Sequence, residues 1–179
     1  MDFIVTGFKG LVLIKHSVYS DERGVFKELF RLKDMEKFLG YKINFCQNNS
    51  VLSYKNVLRG LHYQEQPFAQ SKLVSVSKGK ILDIAVDIRK DSLTYGKYYS
   101  TIISENNHKS LFIPKGFAHG YLTLSKEAII NYKVDNYYNS QMERIIKYND
   151  ELLNIDWGIK SSKLIISEKD KNQHTHNWE

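Results

Sequence analysis

His62 lies in the run Arg59-Gly60-Leu61-His62-Tyr63-Gln64, three residues after an arginine. An imidazole takes up protons near neutral pH and a guanidinium fork grips phosphate, so this spacing can set a general base beside an anion site. A lone histidine in a strand also serves as an ordinary structural residue, and the run by itself leaves both readings open. His119 sits just past the turn Pro114-Lys115-Gly116, where the chain enters a new strand. Lys72 shares one face of an extended run with Val74 and Val76. If that face is the core, the ammonium points inward and needs an anion to meet it; if Leu73 marks the inner face, Lys72 is solvated. Periodicity does not decide between the two. Tyr132 shares a face with Ala128 and Ile130, where a tyrosine is either a core residue with a satisfied hydroxyl or a proton donor. Metal chemistry is the rival reading for two histidines on a β-barrel. Such sites commonly bring a His-x-His pair, and His62-Tyr63-Gln64 offers one histidine only. His174-Thr175-His176 has that spacing but lies in a polar tail, so no metal site is expected.

The elements that must carry these side chains read as strands. The clearest is Lys80–Arg89, where Leu82, Ile84, Val86 and Ile88 alternate with Asp83, Ala85, Asp87 and Arg89, the period of a half-buried strand. Further strand-like runs are Gly10–Ser17, Val25–Phe30, Ile43–Asn49, Val57–Gln64, Lys72–Ser77, Tyr98–Ser104, Ser110–Ile113 and Ala128–Val134. Asp34–Leu39 and Asn149–Leu153 are candidate short helices, the second with Asn or Asp as its N-cap. The tail from Lys169 to Glu179 is polar and is expected to be loose. Many short strands with turn signals and few helices define an all-β chain, a sandwich or a jelly-roll barrel.

Composition sets the outer limits. The 179 residues, with no Ser/Gly-rich linker and only two prolines, suit one domain over 1–179. Aromatic residues are abundant at 13%, which suits pleated surfaces. The single cysteine, Cys46, cannot form an intramolecular disulfide, and a reducing cytoplasm is the natural setting. The N-terminus does not read as a signal peptide. No apolar run reaches the roughly 18 residues of a membrane helix, so no membrane partner is expected. The net charge of +6 suits an acidic partner such as nucleic acid or a diphosphate, although most of it reads as a Lys-rich surface. Lys and Arg are scattered, with no run of five or more, which argues against nucleic acid.

Taken in order, these segments resemble the dTDP-4-dehydrorhamnose 3,5-epimerase family over nearly the whole chain. The resemblance runs through Asp21-Glu22-Arg23-Gly24-Val25-Phe26-Lys27-Glu28, Gln47-Asn48-Asn49-Ser50, Arg59–Gln64, Gln70–Val74, Val86–Arg89, Pro114–Gly120, Tyr132–Tyr138 and Ser167–Asp170. Each motif is weak alone, whereas their order and spacing are specific. Asn56 stands where the family often has glycine. The resemblance implies a jelly-roll, cupin-like homodimer that needs no metal or redox cofactor. It also implies a 4-keto-6-deoxyhexose substrate carried on a nucleoside diphosphate, normally dTDP.

By the same resemblance His62 matches the base, oriented by Asp170; Tyr132 matches the acid, and Lys72 the cation beside the sugar O4. Arg23, Glu28, Gln47, Asn49, Arg59, His119 and Lys169 match contacts to diphosphate and sugar. Phe26 falls among the same substrate contacts, Glu143 at a further one, and Tyr138 where the family stacks on the nucleotide base. A 4-keto group acidifies both C3 and C5, so abstraction on one face and reprotonation on the other inverts a centre. The alternatives are inversion at C3 or C5 only, another nucleotide sugar such as a GDP-heptose, a 3,4-ketoisomerase on the same barrel, and a non-catalytic sugar-nucleotide binder.

Overall fold

The architecture is that of a computed structural model, which describes residues 1–171 and Trp178. In chain order the elements begin with β1 (Asp2–Val5), β2 (Val12–Lys15), β3 (Val18–Asp21), β4 (Gly24–Lys27) and α1 (Leu32–Leu39). The middle of the chain forms β5 (Gln47–Tyr54), β6 (Leu58–Gln64), β7 (Lys72–Lys78), β8 (Lys80–Asp87) and β9 (Tyr98–Ser104). It ends with β10 (Lys109–Ile113), β11 (Phe117–Thr123), β12 (Glu127–Val134), β13 (Glu143–Ile145) and the short helix α2 (Glu168–Lys171). Two antiparallel sheets face each other, one in the order β1-β2-β10-β7-β12-β5 and the other in the order β13-β6-β11-β8-β9. The hairpin β3–β4 forms a sheet of its own. This is the all-β arrangement that the strand pattern predicts and the jelly roll that the resemblance implies.

Three apolar layers hold the sheets. Between them lie Val74, Val76, Ile81, Ala85, Leu111, Ile113, Phe117, Ala128 and Ile130. The outer face of the six-stranded sheet buries Val12, Ile14, Leu73 and Phe112 under Met35 of α1. The outer face of the five-stranded sheet buries Leu58, Ile84, Val86 and Leu122 under Leu153 and Trp157 of the C-terminal segment. Each fully buried Leu, Ile, Val or Phe contributes roughly 1.5–3 kcal/mol, so all three layers matter to stability.

That third layer corrects the reading of Lys80–Arg89. The strand β8 is buried on both faces, and Ile81, Asp83, Ala85 and Asp87 are all fully inaccessible. Leu82, Ile84 and Val86 face the covering segment, and the alternate face that carries Asp83 and Ala85 looks into the barrel. Polar residues on an interior face look like a solvent face when only their period is read.

Other departures have similarly local causes. Ile43 and Phe45 lie outside any strand and pack under α1, so β5 starts only at Gln47, where the ladder to Val134 begins. Asn149–Leu153 forms a turn rather than a helix. Asp150 caps it, accepting from the backbone N–H of Leu152 at 3.1 Å and of Leu153 at 3.2 Å. The described part of the tail is not loose. Ile165 pairs with the start of β6, Asp170 is 3% exposed, and the Trp178 indole donates to Asp150 at 3.2 Å. His174 and His176 lie outside the described residues. Asn56 adopts φ +66°, a left-handed turn that asparagine tolerates, in keeping with the glycine found there in the family it resembles.

Candidate active site

One cavity of about 420 Å3 opens between the sheets, and most of the predicted site residues line it. Its five-stranded wall contributes Arg59 and His62 from β6, His119 from β11 and Glu143 from β13. Its six-stranded wall contributes Gln47 and Asn49 from β5, Lys72 from β7 and Tyr132 from β12, with Tyr138 at the mouth. Pairing accounts for the placement. His119 lies directly across from His62, Glu143 from Gln64, and Asn49 from Tyr132. The question of Lys72 is settled by packing: Val74 and Val76 fill the barrel interior and Leu73 turns out against α1, so Lys72 faces the cavity.

Two glycines bring the key strands together. A Cβ on Gly60 would lie 2.5 Å from Gly120 Cα, and one on Gly120 would lie 2.8 Å from the Arg59 carbonyl oxygen. Gly60 also has φ +121°, a conformation that side chains rarely adopt. This close approach coincides with a register shift between His119 and Tyr121, so β6 and β11 present Arg59, His62 and His119 to one space.

Asp170 arrives from far along the chain. Leu58 N–H donates to the Ile165 carbonyl at 3.0 Å, and Ile165 N–H donates to that of Asn56 at 2.9 Å. This pairing pins the C-terminal segment beside β6. Ser167 then caps α2, accepting from Asp170 N–H, and the Asp170 carboxylate reaches His62 Nε2 at 2.8 Å and Gly60 N–H at 3.3 Å. Burial pushes the Asp170 carboxyl up, but these hydrogen bonds outweigh it and hold the group below its ordinary value. An ionised carboxylate only accepts, so His62 carries its proton on Nε2 and turns the Nδ1 lone pair away from the carboxylate.

Lys72 reaches toward the same histidine, donating from Nζ to the His62 carbonyl oxygen at 3.3 Å. The ammonium touches the cavity but is surrounded by protein, and burial lowers it to about 8 against the raising influence of Glu143 and Asp83. Burial also raises the Tyr132 phenol; Arg59 pulls it down in part. At the mouth, Glu143 accepts from Tyr138 at 3.0 Å and pairs with Lys169. Burial pushes Glu143 up, and its contacts with Lys169 and Tyr138 and the nearby His62 bring it below its ordinary value.

Arg23, Phe26 and Glu28 are not brought to this cavity. Arg23 and Phe26 sit on the separate β3–β4 hairpin and Glu28 just after it; Arg23 pairs with Asp21, and Phe26 is 68% exposed. Conversely, motif reading missed Asp83, Ser53 and Tyr121. Asp83 Oδ1 accepts from His119 Nε2 at 2.7 Å, and the signal that could have found it is a carboxylate on the same strand face as the small residue Ala85. Among the described residues no group of three or more His, Cys, Asp or Glu side chains could hold a metal ion.

A double-sheeted barrel with a histidine–carboxylate pair on one wall and a lysine and a tyrosine on the other defines a class of acid–base enzyme. The comparisons narrow it. The family model of dTDP-4-dehydrorhamnose 3,5-epimerase matches residues 5–177. The dTDP-4-dehydrorhamnose 3,5-epimerase of Shigella flexneri is 44% identical over 172 residues, covering 96% of this chain and 94% of that protein. The crystal structure of the Elizabethkingia anophelis dTDP-4-dehydrorhamnose 3,5-epimerase superposes with a TM-score of 0.93 at 42% identity, over 98% of this chain and 96% of that one. That of the Legionella pneumophila dTDP-6-deoxy-D-glucose-3,5-epimerase, in complex with dTDP-4-keto-L-rhamnose, also gives 0.93, at 43% identity over 97% and 92%. The chain belongs to the dTDP-4-dehydrorhamnose 3,5-epimerase family.

Proposed function

We propose that this protein epimerises dTDP-4-dehydro-6-deoxyglucose at C3 and C5 to give dTDP-4-dehydrorhamnose. The observation that carries the reading is the placement of His62 and Tyr132 on opposite sheets across one cavity. Inversion needs a base on one face of the carbon and an acid on the other, and this arrangement supplies both. His62 Nδ1 removes the proton next to the ketone. Asp170 holds the imidazole and stabilises its charged form. Lys72 stands on the tyrosine wall with its ammonium reaching the His62 carbonyl, where it offsets charge developing on O4 in a site shielded from water. Tyr132 returns a proton from the far side. Arg59, His119, Lys169, Gln47 and Asn49 bind diphosphate and sugar, and Tyr138 with Glu143 frames the nucleotide base.

Arg23, Phe26 and Glu28 serve the same substrate from a second copy of the chain. This accounts for a hairpin that pairs with neither main sheet and leaves Tyr19, Val25 and Phe26 more than 60% exposed. The working protein is on this reading a homodimer of single-domain subunits, with no metal or redox cofactor. No helix among the described residues is long and apolar enough to cross a membrane, which suits a cytoplasmic enzyme.

The test is solvent exchange. In D2O the protein should incorporate deuterium at both C3 and C5 of the 4-keto sugar nucleotide while inverting them. Tyr132→Phe should still exchange at C5, because His62 is intact, but yield little inverted product. Normal inversion by Tyr132→Phe removes Tyr132 as the acid. No exchange by the wild-type protein removes the epimerase reading and leaves a binder.

A further inference from the structure

Beneath Arg59 lies a feature that the proposed chemistry does not use. Arg59 Nε donates to Ser53 Oγ at 3.1 Å, and the Ser53 hydroxyl shares a hydrogen bond of 3.2 Å with the Tyr121 hydroxyl. Both hydroxyl residues are buried, Ser53 at 1% and Tyr121 at 5% exposure, while Arg59 itself is exposed. Three strands meet here: Ser53 belongs to β5, Arg59 to β6, and Tyr121 stands opposite Arg59 on β11. The two hydroxyls thus link one sheet to the other at the point where the guanidinium leaves the wall.

We infer that Ser53 and Tyr121 are positioning residues that fix the rotation of the Arg59 guanidinium, so that its two terminal amino groups face the cavity as a bidentate fork. An exposed arginine held only by its backbone samples many rotamers, and ordering it on binding costs affinity. A hydrogen bond at Nε spends the one donor that cannot join a fork through Nη1 and Nη2, and leaves those two for paired contacts to an anion. Tyr121 in turn holds the Ser53 oxygen where Nε meets it. Burial raises the Tyr121 phenol, and its contact with Ser53 only partly offsets this, so the group is a neutral hydrogen-bonding partner. Lysine has no counterpart of Nε–H, so the device works only for arginine.

The inference rests on the reading that Arg59 holds the diphosphate, and a double-mutant cycle separates the two. Calorimetry with dTDP is run on wild type, Tyr121→Phe, Ser53→Ala, Arg59→Lys and each hydroxyl variant combined with Arg59→Lys. Tyr121→Phe and Ser53→Ala should each weaken dTDP binding about five- to tenfold, the scale of one ordinary hydrogen bond, and raise KM for the sugar nucleotide with kcat within about twofold. In the Arg59→Lys background the same changes should have almost no further effect, because residues acting through one another are not additive. A merely structural hydroxyl would weaken binding equally in both backgrounds, and that result overturns the inference. So does unchanged affinity in both single hydroxyl variants. If Arg59→Lys itself binds dTDP like wild type, the diphosphate role of Arg59 falls first and the inference with it. Two hydroxyl variants run the same cycle, so a folding defect in one leaves the test standing on the other.

Discussion

Two histidine–carboxylate pairs stand side by side on adjacent strands, His62 with Asp170 and His119 with Asp83, with nearly equal contacts of 2.8 and 2.7 Å. They differ in what surrounds them. The His62 side chain is 29% exposed and its acid comes from a helix 108 residues away; the His119 side chain is 9% exposed and its acid is fully buried in the neighbouring strand β8. Each aspartate takes Nε2 and leaves Nδ1, but only His62 has Lys72 reaching its own backbone from the opposite wall. The same pair of side chains therefore makes an accessible imidazole in one place and a fixed, inward-facing contact in the other. On the proposed mechanism, accessibility and the nearby cation, not the dyad itself, separate the histidine that moves protons from the one that holds a ligand.

The largest expected effect breaks the comparison outright. His62→Asn should lower deuterium exchange at C3 and C5 by at least about a thousandfold, within the range for losing a general base, while the fold persists. His119→Asn should keep exchange at saturating substrate and show its defect mainly in KM. Measuring exchange in both variants decides the roles, and loss of exchange in His119→Asn alone would reverse them.

A smaller effect sharpens the contrast between the two acids. Asp170→Asn keeps the shape but weakens the hold on the imidazole tautomer, so kcat should drop roughly a hundredfold, less than when a triad aspartate is neutralised. Asp83→Asn should leave kcat within about tenfold and appear mainly as lower thermal stability, because it disturbs a buried polar contact. Equal kcat losses in the two variants would erase the distinction.

The smallest effect is a pH profile. Lys72 is charged below about 8 and neutral above it, because burial disfavours the ammonium. On the proposed mechanism the cation beside O4 is therefore present at neutral pH and disappears as pH rises through about 8. kcat should decline over that window, and Lys72→Arg, charged throughout, should keep whatever rate it has to higher pH. An alkaline limb unchanged in Lys72→Arg would assign it to another group.

Much of this site was legible as motif order, because strand residues two apart share a face and the barrel gathers those faces around one cavity. The period of two reads out Ala128, Ile130 and Tyr132 correctly. It fails at Lys72, where inner and outer faces are both apolar, since α1 covers the outside of the sheet. It fails again at Asp83, a fully buried carboxylate that faces the interior because His119 partners it there. Ser53 and Tyr121 were invisible for a different reason: neither belongs to a motif, and their link to Arg59 exists only once three strands from two sheets meet. The hairpin residues Arg23 and Phe26 were named by motif, yet one chain alone does not carry them to its own cavity.

The C-terminal attachment of Asp170 bears on how this molecule wears out. The barrel is closed by long ladders such as β12 with β5 and β8 with β11, whereas Asp170 is held by a four-residue helix and an isolated parallel bridge at Ile165. A segment outside the ladders, even one packed by Leu164 and Ile166 against the sheet, can open locally at a free energy below that of global unfolding. On warming, the segment is expected to detach while the sheets remain intact, which would part His62 from its carboxylate before the barrel melts. Inactivation and melting would then be two separate events, with shelf life set by a short tether and not by the depth of the core.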